Sequence, residues 1–341
     1  MKKIAINGLG LIVSCLVFFS CSRNKFDIDV SHIKVELKIS RFERDFFAAN
    51  HENLNEFHKK LYEKYGVFYQ RYVENMTGIG LVNDPAISYS LQTFLSDKYI
   101  KEIYDDTEKK FSGDLNVEYA LTDAFKHCKY YFPEMIIPEI ITFISGFNYA
   151  IAVTDSVLGI GLDMYLGNDY KNYAKSGFPL YKITLMNREY IISDAMKSWL
   201  MTEFFSDENK HPKDVLGTMI MHGKIMYLLD AVLPNEPDSI QIGYSRDQLE
   251  FCEKNEFNIW AHLVDKQLLY SSENQTIAQF FNDAPFTSGL PKESAPKIGI
   301  WVGWQIVKSY MENNSEFTLT DLMKKENAQE ILTLSKYKPK K

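Results

Sequence analysis

Residues 215–233, VLGTMIMHGKIMYLLDAVL, restrict the fold more than any other stretch of this chain. Val215, Met219, His222, Met226, Leu229 and Leu233 recur at helical spacing, and Ile220, Ile225 and Leu228 make the remaining sides apolar as well. A helix with no polar face has no side to offer water, so it belongs at the centre of a body that wraps it. The chain has 341 residues and is 45% hydrophobic, which is enough material for that wrapping.

The flanking sequence supplies the wrapping. Ile33, Val35, Leu37 and Ile39 alternate with polar residues and predict a half-buried strand. A helical stretch is expected over 43–72, where Phe46, Phe47, Leu54, Phe57, Leu61 and Tyr65 recur, with further helices near 85–105 and 115–131. Residues 139–167, rich in Ile, Val, Phe and Thr and punctuated by Gly and Asp, read as consecutive antiparallel strands joined by tight turns. Helical patterning then returns over 213–233, 246–270, 274–282, 296–313 and 318–333. No repeat and no Pro/Gly/Ser linker divides the chain. The expected fold class is α+β: one helix-rich domain over 31–341 around a small mixed, mainly antiparallel sheet.

The first twenty residues are a separate object. Lys2 and Lys3 precede an apolar run that ends in FFSC and gives way to polar SRNK, the pattern of a lipoprotein signal with Cys21 as the lipidated residue. Cleavage at the rival Cys15 would leave the apolar LVFF at the mature end. Residues 21–30 then read as a polar tether. Loss of Lys2 and Lys3 with the signal takes the net charge from −7 to −9, which excludes nucleic acid and electrostatic docking on anionic lipid, since phosphate partners select basic surfaces. Membrane attachment would come from the lipid alone. Cys128 and Cys252 fit no metal spacing and are expected to be buried free thiols.

The central helix also invites a chemical comparison. In an HExxH zinc helix two histidines stand four apart on one face, with the Glu as general base. Here His222 is followed by Gly223 and, four on, by Met226, so one ligand remains and the base is absent. Glu256 lies on an otherwise apolar stripe of its own helix and is expected to meet His222, Lys224 or a backbone donor, because a buried carboxylate needs a partner. His222, Lys224, Tyr227, Glu256 and Asp163 make up a candidate vestigial pocket, with no metal, cofactor or catalytic residue assigned. In GIGLDMYLGNDY, residues 159–170, the glycines read as turn or close-packing residues, with Asp163, Tyr165 and Asp169 along one rim of a cleft. His51 and His58 read as a solvated helix face. Trp301 and Trp304 read as packing, with a partner groove or a glycan-binding surface as the functional alternative. There is no GxSxG and no P-loop.

Taken in order, ISRFERDFF (39–47), GLDMYLGNDY (161–170), HGKIMYLLDAVLP (222–234), IGYSRDQLEFCEKNEFNIW (242–260), DAPFTSGL (283–290), APKIGIWVGWQIVKSYME (295–312) and ILTLSKYKP (331–339) resemble the gliding-motility lipoprotein GldB family. That family is similar, at a distance, to zincin-type peptidases with a decayed metal motif, so the resemblance also implies a zincin-like arrangement. It implies a lipid-anchored cell-envelope protein needed for gliding, a non-catalytic assembly component whose partners are other gliding-apparatus, secretion or envelope proteins. The alternatives are a hydrolase and a carbohydrate-binding accessory lipoprotein.

Overall fold

The computed structural model describes residues 24–49, 52–113 and 117–339. The signal at 1–20, Cys21 and His51 lie outside the described residues. Four strands, β1 (Ile39–Arg41), β2 (Glu139–Phe143), β3 (Ile151–Val153) and β4 (Val157–Gly161), form one sheet in the order β1-β2-β4-β3. The sheet is mixed, as expected, but it is not mainly antiparallel. β1 pairs parallel with β2, and β2 parallel with β4, while β3 alone is antiparallel, hairpinned onto β4. β2 shows why: Ile140 to Phe143 are all buried, so the strand is covered on both faces and has no polar face, which is the mark of a parallel strand.

One sheet face, with Ile140, Leu158 and Ile160, joins the main core; Ile141 and Phe143 on the other face join a second, aromatic core. That second core comes from α1 (Phe42–Phe47), α2 (Leu54–Arg71), a π-helical turn at Tyr72–Met76 and α3 (Ile87–Ser96). Phe42 sits edge-on to Tyr65, Phe68 and Tyr72. The continuous helix expected over 43–72 is therefore broken, between α1 and α2 and again at Gly66, whose φ of 49° leaves the helical region. His58 is not on a solvated face: its ring nitrogens pair with the Tyr69 hydroxyl (2.9 Å) and the Val82 carbonyl (3.0 Å). α4 (Lys98–Lys110) is tied to the start of the domain by ion pairs of Glu108 with Arg41 (2.9 Å) and Arg44 (3.0 Å). Arg41 also pairs with the buried Glu43, which accepts from Thr142 on β2 (2.7 Å). The charges of ISRFER thus bolt β1 and α1 to the sheet and to α4.

The main core is built by α5 (Val117–Tyr131), α6 (Lys171–Lys175), α7 (Leu180–Ile183), α8 (Ile191–Phe205), α9 (Val215–Val232), α10 (Asp238–Ile242), α11 (Arg246–Asp265), α12 (Asn274–Phe281), α13 (Ile298–Asn313), α14 (Leu319–Lys324) and α15 (Ala328–Ser335). α9 is long and apolar enough to cross a membrane, yet it is packed inside the body against α5, α8, α12, α13 and α15. Its closest neighbour is α13. A Cβ built on Gly223 would stand 2.2 Å from the Gly303 carbonyl oxygen, and one on Gly303 would stand 1.9 Å from the Met219 carbonyl oxygen. The two backbones touch there, and only hydrogen fits between them.

The polar tether expected over 21–30 is, from Asn24 onward, docked on this body. Asn24 donates to the Pro234 carbonyl (2.7 Å), Lys25 to the Tyr227 hydroxyl (2.8 Å), and Phe26 and Val30 are buried. Cys128 and Cys252 are buried free thiols, and burial pushes both up.

Candidate functional site

The five residues of the candidate vestigial pocket do not converge. Successive positions on a helix are about 100° apart, so His222 leaves α9 on the side opposite Lys224 and Tyr227, which stand three apart on one face. The His222 ring stacks on Phe281 of α12 with centroids 5.6 Å apart, and burial, reinforced by the charges of Lys197, Lys297 and His211, pushes its pKa down to about 4. Lys224 points the other way, donating to the Lys325 carbonyl at the edge of a separate cavity of about 740 Å³. Burial lowers its amine to about 8. Tyr227 takes the Lys25 ammonium. Glu256, expected beside His222 or Lys224, is half-buried on α11 and instead accepts from the Tyr337 hydroxyl (2.8 Å).

Asp163 is sealed beneath the loop that follows β2. Its carboxylate accepts the backbone N–H groups of Ser145 (3.1 Å) and Phe147 (2.7 Å), while Oδ1 has no partner. Burial pushes it up to about 7 against the pull of those N–H donors. Asp163 is a loop brace: Phe147, held at a φ of 68°, depends on it. Among the described residues, no three His, Cys, Asp or Glu side chains gather into a group able to hold a metal ion. Position 223, where a zinc helix carries its base, is occupied by the crossing with α13. Trp301 and Trp304 are buried, the latter donating to Asp230 (2.8 Å), so they offer no groove.

What the fold does assemble is a cavity of about 610 Å³ beyond the carboxyl ends of β2 and β4. Ligands in sheets with parallel strands collect at that end, where the connecting loops diverge. Phe147 and Asn148 arrive from the loop after β2, and Met164 and Tyr165 from the 3₁₀ turn after β4. Phe178, Tyr181 and Lys182 come from the α6–α7 region, Asp194 from α8, Gln248 from α11, and Asp283 and Lys297 from the segment leading into α13. Tyr165 alone of the expected rim reaches the wall; Asp163 lies beneath it and Asp169 is not part of it.

Two charge groups mark the wall. Tyr165 donates to Asp194 (3.0 Å), which also faces Lys197 one turn along α8 (3.6 Å). Burial lowers the Lys197 amine and Asp194 partly restores it. Asp283 takes Lys297 at 2.9 Å and Lys182 at 3.6 Å; burial raises this carboxyl, but the two lysines outweigh it and hold it below the usual range. Lys297 adopts a left-handed φ of 49° at the start of α13. Its position is fixed by its neighbours: Tyr244 donates to the Pro296 carbonyl (2.7 Å) and Thr287 to the Ala295 carbonyl (2.8 Å). Groups paired with one another in this way are held in place to meet a ligand's polar atoms. The Tyr165 phenol, raised well above its ordinary value by burial and by Asp194, serves as a donor.

The fold and the cavity define a class: a helix-rich α+β domain with an aromatic, charge-marked cleft at the carboxyl ends of a parallel strand pair. The family model for the gliding motility protein GldB matches residues 23–339, and the chain belongs to that family. Membership gives the protein a role in gliding motility. Neither the curated proteins nor the solved structures compared with it gave a match. Stretches that carry the family resemblance meet in the cavity: GLDMYLGNDY brings Tyr165, IGYSRDQLEF brings Gln248, DAPFTSGL brings Asp283 and APKIGIW brings Lys297.

Proposed function

We propose that the protein is a lipid-anchored component of the cell envelope that acts without catalysis, and that the cavity beyond β2 and β4 receives a segment of another gliding or secretion protein. The observation that carries this reading is the convergence of those four stretches on one cleft whose charges are already paired. Position 223, meanwhile, is used for helix packing. The cleft offers aromatic rings for burial and fixed polar groups for orientation, which is what a recognition pocket requires. A glycan ligand is the second reading, favoured by the rings of Tyr165, Phe178 and Tyr181 beside the amides of Asn148 and Gln248.

A hydrolase using the central helix would depend on the His222 nitrogens. His222→Phe removes both nitrogens while keeping a ring to stack on Phe281. Cells relying on this variant are expected to glide at the normal rate. Loss of gliding with the variant folded and present at normal level would favour the hydrolase instead.

A further inference from the structure

We propose that the lipid anchor holds this body directly against the membrane, with the face bearing Asn24, Tyr130 and Tyr131 turned to the lipid headgroup layer. The inference rests on the reading of Cys21 as the anchored residue and adds an orientation to it. The chain is attached to the body from Asn24 onward. Asn24 is pinned to the Pro234 carbonyl and closes a turn with Asp27 (2.9 Å). Lys25 lies 5.0 Å from the centroid of the Tyr227 ring, and Phe26 sits edge-on to Tyr227 (5.4 Å) and Tyr131 (6.4 Å). Only Ser22 and Arg23 separate Cys21 from this strap. Three Cα–Cα steps of ~3.8 Å place the Cys21 backbone within about 11 Å of Asn24. The body is several times wider than that, so a lipid entering the bilayer at Cys21 brings the adjoining face with it.

That face is uneven. On one side of the strap a groove of about 430 Å³ is lined by Phe26, Ile28, Tyr130, Tyr131, Met311 and Phe317, and Tyr130 is 48% exposed. Tyrosine, with an apolar ring and a polar tip, suits the boundary between acyl chains and water. On the other side stand Glu236, Asp238 and Glu312, with Lys308 among them. These acids disfavour contact with anionic lipid, so the body tips onto its tyrosine side. The net charge excludes electrostatic recruitment, and the covalent tether supplies the proximity instead.

The test uses the mature lipidated protein in vesicles of phosphatidylethanolamine and phosphatidylglycerol. An environment-sensitive dye is placed through Tyr130→Cys or, as reference, Tyr89→Cys, which is 74% exposed on α3 across the sheet. Cys128 and Cys252 are buried and Cys21 carries the lipid, so labelling is confined to the new thiol. Headgroup-level quencher lipids are expected to quench at position 130 several-fold more than at 89. Inserting about ten Gly/Ser residues between Arg23 and Asn24, a reach of roughly 18 Å, is expected to remove most of that difference without altering the body. Equal quenching at native spacing, with mass spectrometry confirming lipid on Cys21, overturns the seating alone. Absence of lipid on Cys21 overturns the anchor and the seating together. A difference that survives the insertion overturns the role of the short tether.

Discussion

Gly223→Ala is expected to destabilise the protein far more than a single methyl group suggests. The added Cβ would lie 2.2 Å from the Gly303 carbonyl oxygen, 2.4 Å from its carbon and 2.9 Å from the Trp304 nitrogen, all backbone atoms. No side chain can swing away, so α9 and α13 must separate by about 1 Å, and a gap of that size forfeits a quarter to a half of the dispersion energy of each contact along the seam. Overpacking of a core costs about 1–3 kcal/mol and occasionally more; two rigid backbones put this case at the upper end. Replacing Gly by Ala inside a helix returns ~1 kcal/mol. The net loss is about 2–4 kcal/mol, a large part of the 5–15 kcal/mol typical of a folded domain. Urea denaturation of the purified protein measures it, with Gly113→Ala as control because nothing lies within 4 Å of a Cβ there. A Gly223→Ala stability within about 0.5 kcal/mol of the parent, the range of an inert surface change, would refute the packing argument.

The buried Asp163 predicts a pH dependence. Its folded pKa of about 7 stands above the unfolded 3.8, so folding favours the protonated form; the resulting stability is fully present below 3.8 and is lost as pH rises through 7. The stability of the parent relative to Asp163→Asn should therefore fall by roughly 3 kcal/mol between pH 5 and pH 8, and urea titrations at the two values that show no change in the difference would contradict the assignment. At Gly161 a Cβ would meet the Tyr149 carbonyl oxygen at 2.0 Å. Gly161→Val is thus expected to lower soluble folded yield, as read by circular dichroism of the recovered protein; an intact fold would show that β4 has room.

Much of the architecture was legible. A helix apolar on every side could only be central, and α9 is. The structure adds that Ser245 and Gln248 form the reciprocal cap that opens α11, a signal carried by GYSRDQ but not used in placing that helix. The sheet was misread because runs rich in Ile, Val, Phe and Thr between Gly and Asp punctuation announce strands but not which neighbours they pair with or in which direction. EIITF sets Ile141 and Phe143 on one side and Ile140 on the other, and the lack of a polar face was the available sign of a parallel strand. Missing the parallel pair also hid the cavity, since its place follows from the direction of β2 and β4. Asp194 and Lys197 look in sequence like an ordinary surface pair one turn apart, and nothing in APKIGIW announces the left-handed Lys297. The grouping of His222 with Lys224 and Tyr227, by contrast, was already at odds with helical geometry, which puts His222 on the side opposite the other two. Residues 24–30 read as a tether because their polar neighbours mask Phe26 and Val30, the two side chains that dock the segment.

The central claim, that the cleft receives another protein of the gliding machinery, is tested most directly by a photo-crosslinking residue in place of Tyr181 on the cavity wall of the cell-envelope protein. Irradiation of gliding cells is expected to give one discrete adduct with a second envelope protein. That adduct should disappear when Asp194 and Lys297 are both replaced by Ala in a variant that still folds. An adduct that persists in the Asp194→Ala, Lys297→Ala variant, or no protein adduct at all, would contradict the account.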